Sequence, residues 1–132
     1  MLQYPAVVVH GLADARLALG MRAPVTLLSA PGAALYAGCG WWRALIAHAR
    51  AEFADAIMTD ALDCADASGL ALAALRIRQH VVVLAPDAPG WTAVAAIASE
   101  WGGLVLAARP PALDLAGRGA LRRLPGWLSA IG

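Results

Sequence analysis

Lysine is missing from this chain altogether. All ten basic residues are arginine, and nine acids balance them to a net charge of +1. Uniform arginine usage reads as codon bias rather than phosphate binding. The near-neutral balance removes the electrostatic case for nucleic acid, where an excess of basic groups supplies most of the affinity. Charge of either sign is scarce: 14% of residues are charged, against about 25% in a typical soluble domain. Cysteine is limited to Cys39 and Cys64. Two are too few for a disulfide framework, and they lack metal-ligand spacing. They read as buried, reduced thiols. No basic segment precedes an apolar stretch at the N-terminus, so no signal peptide is expected. A cytoplasmic chain is the expectation. Ala23 to Trp42 is uncharged and long enough to raise the question of a membrane span. Pro31, Gly32, Gly38 and Gly40 break it, and it reads as strand, loop and helix.

What is abundant is small and apolar. Hydrophobic residues make up 61% of the 132 positions, and alanine supplies much of the excess. The length fits a single domain over residues 1–132 with a core of its own. Five short apolar runs read as buried strands: Ala6 to His10, Val25 to Ser29, Met58 to Cys64, His80 to Ala85 and Leu104 to Ala107. Val7-Val8-Val9 and Val81-Val82-Val83-Leu84 are continuous rather than alternating, as in strands covered on both faces.

Helical stretches fall between these runs. Leu12 to Leu19 is short, with Gly20 placed to cap its end. Trp42, Leu45, Ile46, Ala49 and Phe53 share one helical face, while Arg43 and Arg50 lie off it. Ser68 to Arg76 and Gly90 to Trp101 follow. The tail from Asp114 onward reads as one or two short helices, with Pro125 suited to a first helical position. Strand–helix alternation predicts an α/β fold: one three-layer domain, a mainly parallel sheet of about five strands, and helices on both faces.

In open α/β sheets, ligands bind beyond the carboxyl ends of the strands. The candidate site residues follow from that rule and not from any motif: His10, Ser29, Gly32, Asp63, Asp66 and Arg109. Ser29 to Gly32 joins a strand to a helix, where free N–H groups can hold an anion; the plain alternative is a turn with a capping serine. The loop lacks the Walker pattern, and Gly-x-Gly-x-x-Gly does not follow the first strand. Asp60 and Asp63 point to opposite faces of an extended segment. Asp66 is expected to cap the next helix. Burying Asp63 is costly unless it is paired. Arg109 precedes Pro110-Pro111 and is thereby held in extended geometry.

These features lead to one expectation and two alternatives. The first is a self-associating binding or regulatory module, most simply a homodimer, that holds a small anionic ligand at the strand ends. The second is a small lyase- or hydrolase-type enzyme using Asp63 with His10 or Arg109. The third is a structural subunit with no ligand. No cofactor, metal, nucleic acid or membrane enters any of them. Trp41, Trp127 and Leu128 are expected at the margin of the core, where a second copy would cover them.

Overall fold

Alternating apolar strands and helices organise the chain around one parallel sheet. The structure, a computed structural model, describes residues 2–129. In chain order the elements are β1 (Ala6–Val9), α1 (Leu12–Gly20), β2 (Val25–Ser29), α2 (Ala33–Tyr36), α3 (Cys39–Glu52), β3 (Met58–Asp63), α4 (Ser68–Arg76), β4 (Val81–Val83), α5 (Trp91–Glu100), β5 (Leu104–Leu106), β6 (Ala112–Asp114) and α6 (Ala120–Ser129). The strand order is β5-β4-β3-β2-β1-β6, and every pairing is parallel. No helix among the described residues is long and apolar enough to cross a membrane.

The α/β class and the parallel sheet agree with the sequence reading, and all five expected runs contribute a strand. A second layer of helices, on the other face of the sheet, is not found among the described residues. The main core joins Val7, Val9, Leu27, Leu62, Val82, Val105 and Leu113 to buried residues of all six helices. The opposite sheet face carries a smaller cluster, Val8, Leu28, Ala61 and Val83, with no helical residue in it. Strand order explains this. From β1 to β5 each crossover steps to the next strand in the same direction. Crossovers of one hand stepping one way lay their helices on one face.

The helix-free face is nonetheless buried, because the sheet curls toward it. Laid flat, five strand intervals would separate β5 from β6 by about 24 Å. Only Ala107 to Pro111 join them, a reach of roughly 21 Å even when fully extended. The link must also run back to the start of a parallel strand. Curling brings the edges together, and Leu106 of β5 and Ala112 of β6 pack against the same four-residue cluster.

Three local expectations need correction. Gly20 lies inside α1; the left-handed residue that ends the helix is Arg22, at φ 57°. Asp114 belongs to β6, a strand of three residues that is recognisable only through its pairing with β1. Pro125 lies within α6 and does not start it. Burial of Ala120, Leu124 and Leu128 along one face of α6 offsets the hydrogen bond that proline removes.

Candidate functional site

Two aspartates end strands in the same way. Asp63 closes β3 and accepts the Ala65 N–H at 2.8 Å, while Asp114 closes β6 and accepts the Ala116 N–H at 2.9 Å. Each is a side-chain turn that Asp forms with the backbone two residues on. Each aspartate also holds a basic side chain. Arg109 Nη1 donates to Asp63 Oδ2 at 2.7 Å, and His10 Nε2 meets Asp114 Oδ1 at 2.7 Å. Both pairs lie at the carboxyl edge of the sheet, and the charge of Arg109 also acts on Asp114. Burial raises the Asp114 carboxyl, but the His10 bond, the Ala116 N–H and the charges of His10 and Arg109 outweigh it. The net effect holds Asp114 below the usual carboxylate range.

Asp63 is 4% exposed and both its oxygens are engaged. The turn that it closes puts Ala65 at φ 51°, in the left-handed region that non-glycine residues avoid. Ala65 O then accepts the Ala85 N–H at 2.7 Å, which fixes the loop against the chain after β4. Strain of this kind is kept only where surrounding contacts over-determine it.

Ser29 is fully buried and its hydroxyl is committed. It accepts the Asp63 N–H at 2.9 Å and donates to Ala30 O at 3.1 Å. It serves the loop and offers no nucleophile. Gly32 stands beside Ala65, at φ 65°, before the four-residue α2. Asp66 is exposed, and the expected cap is absent: Ala67 occupies the N-cap of α4 with no side-chain cap bond. The turn at Ala65 rotates the chain before Asp66 reaches the helix start. His10, Ser29, Asp63 and Arg109 thus gather at one edge, but His10 pairs with Asp114 and not with Asp63.

A second polar cluster was not anticipated. Asp60 faces the helices, opposite to Asp63, at 9% exposure. Its Oδ2 accepts from Trp42 Nε1 at 2.9 Å, Gln79 Nε2 at 2.8 Å and Arg43 Nη1 at 3.2 Å, and Arg50 approaches Oδ1 at 3.6 Å. The apolar spacing of Trp42 hides the partner that its indole N–H requires. Cys64 is buried, and burial, with Asp63 and Cys39 nearby, pushes its thiol up to about 12. Two surface depressions lie at the other, amino-terminal edge of the sheet. One, of about 240 Å³, is bordered by Arg22, Glu52, Phe53 and Asp55. The other, of about 390 Å³, is bordered by Arg76, Arg78, Gln79, His80 and Trp101.

The tail helix folds back on its own domain. Trp127 Nε1 donates to Ala6 O at 2.7 Å, and Leu128 is buried. Neither therefore supports a second copy, whereas Trp41 stays 38% exposed beside Tyr36 and Leu35 in the sequence order of α2 and α3. No protein-family model matches this sequence, and no curated protein matches it.

Proposed function

We propose that the chain is a small binding module that takes a small anionic ligand at the carboxyl ends of its strands, between Arg109 and His10. One observation carries this reading: each of the two side chains is oriented by a carboxylate behind it and keeps unspent polar capacity. Arg109 has five N–H donors, of which only Nη1 is engaged among the described residues. His10 uses Nε2 on Asp114, and its Nδ1 has no protein partner among the described residues. A guanidinium held in this way suits bidentate capture of a carboxylate or phosphate. Ser29 and Gly32 then act through the loop that carries Asp63, and not as direct ligands.

The test is a thermal-unfolding series with inorganic phosphate and small mono- and dicarboxylates. A bound anion stabilises the folded chain by mass action, by about 2.7 kcal/mol at a hundredfold excess over Kd. Arg109→Gln and His10→Gln should each weaken anion affinity about tenfold, which lowers that stabilisation by about 1.4 kcal/mol. If no anion raises the unfolding temperature at millimolar concentration, or if Arg109→Gln leaves the effect intact, the reading fails.

A second reading rests on the His10–Asp114 pair itself. A carboxylate that orients an imidazole is the arrangement used for general acid–base work. No activated nucleophile accompanies it among the described residues, since Ser29 is bonded and buried and Cys64 stays a thiol. That favours proton transfer over covalent catalysis. Self-association is part of the proposal only through the exposed Leu35, Tyr36 and Trp41; sedimentation at micromolar concentration tests it, and a single 13.6 kDa species rejects it. A cytoplasmic setting is proposed on the free thiols of Cys39 and Cys64 alone.

A further inference from the structure

The depression before β4 and β5 is lined by basic and aromatic side chains. Arg76, Arg78 and His80 border it, all exposed, and Trp101 lines it at 48% exposure. Arg16, Arg43, Arg50 and Arg109 each meet a carboxylate; Arg76 and Arg78, like Arg22, Arg118, Arg122 and Arg123, meet none among the described residues, but only Arg76 and Arg78 border this depression. Trp42, Trp91 and Trp127 each donate the indole N–H internally, while Trp101, like Trp41, has no such acceptor among the described residues. A large aromatic surface and three basic groups are therefore left to solvent side by side.

Backbone contacts hold the walls of the notch together. A Cβ at Gly103 would lie 2.7 Å from His80 O, so only glycine fits between these two loops. Leu104 N–H donates to His80 O at 2.7 Å, pinning the two walls. Gln79 forms the floor and is spent: it bonds Asp60, Val81 O and Arg43. The backbone at Arg78 is left-handed, as it is at Arg22 after α1. α4 and α5 end alike, with Gln79 N–H reaching Ala74 O and Gly103 N–H reaching Ala98 O. The left-handed position in that turn is Gly102 after α5, at φ 77°, but Arg78 after α4, at φ 72°. A non-glycine residue there is disfavoured. A cation near the end of a helix dipole accounts for the charge, but Arg76 already supplies one in the last turn of α4.

We propose that this notch is a second ligand site, for a nucleoside monophosphate or a closely similar phosphorylated ring compound. The phosphate is taken by Arg76, Arg78 and His80, and the flat ring stacks on Trp101. Paired guanidinium groups match a phosphate, aromatic stacking accepts any flat base, and a space of about 390 Å³ falls in the range of small-molecule pockets. The site stands at the edge opposite Arg109 and does not depend on the strand-end reading.

The experiment is calorimetric titration of the whole chain with AMP, and with adenosine and inorganic phosphate separately. AMP should bind with Kd below about 1 mM, and each half alone should bind more weakly. Arg78→Gly removes the guanidinium while easing the backbone, so the fold is retained; it should weaken AMP about tenfold, as should Trp101→Ala. Arg122→Ala, an exposed arginine on α6, controls for loss of charge and should change nothing. Absence of AMP binding, or binding unaffected by Arg78→Gly and Trp101→Ala, overturns the proposal. So does loss of AMP binding in Arg109→Gln with retention in Arg78→Gly, which would move the ligand to the strand ends. Tighter binding of a short single-stranded oligonucleotide through the same residues would replace the small ligand with nucleic acid.

Discussion

Arg109 and Asp63 are 46 positions apart in sequence, and a 2.7 Å bond joins them across the helix-free face of the sheet. Arg109 belongs to the short link between the two edge strands, whereas Asp63 ends a strand well inside the sheet. The bond therefore has two consequences. It ties down the segment that crosses the curled face, and it aims a guanidinium over the strand ends.

Removing Arg109 leaves a buried carboxylate without its cation. Arg109→Ala is expected to cost about 3 kcal/mol in denaturant-monitored stability. The double variant Asp63→Asn with Arg109→Ala should lose less than Arg109→Ala alone, because no uncompensated charge remains buried. Equal losses in the two would show that the ion pair is not what holds the link.

Ser29 is expected to matter for stability and not for chemistry. Ser29→Ala removes the acceptor of the buried Asp63 N–H, at a cost of about 1–3 kcal/mol. Anion affinity per folded molecule should be unchanged. A variant of native stability that has lost ligand affinity would reverse this assignment.

The Asp114 carboxyl lies below its ordinary value. Its ionised form therefore stabilises the fold. That contribution is present above the ordinary carboxylate pKa and is lost as pH falls through the lower, folded value. The group is about half exposed, so screening keeps the effect under about 1 kcal/mol. Asp114→Asn should flatten the acid limb of the stability curve, as measured by unfolding at a series of pH values. An unchanged limb would contradict the His10–Asp114 pairing.

The two thiols should react at different rates. Cys64 is fully buried with its thiol pushed up to about 12, and Cys39 is only partly buried. A thiol reagent at neutral pH should modify one site per native chain, and the second only on unfolding. Fast modification of Cys64 in the native chain would contradict its packing against the sheet.

Continuous valine runs made the interior strands legible, because a doubly covered strand has no polar alternation to hide it. β6 was not legible. It is three residues long, follows Pro110-Pro111, and gains its meaning only by pairing with β1. The single helical layer was hidden for a related reason: it follows from strand order, which no local pattern encodes. Chain position at or just past a strand end was enough to place His10, Ser29, Asp63 and Arg109 at one edge of the sheet. The partners were not readable. Asp114 looked like the start of a tail until β6 set it beside His10, and Asp60 disclosed its network only once Trp42, Arg43 and Gln79 converged on it.

The claim that Arg109 and His10 together receive an anion is tested most directly by side-chain nitrogen NMR. The signals of the Arg109 guanidinium and the His10 ring should be followed while inorganic phosphate or a small dicarboxylate is titrated in. Both should shift along one saturating curve, with the Arg76 and Arg78 signals lagging behind. Shifts confined to other arginines, or no saturable shift at Arg109 and His10, would contradict it.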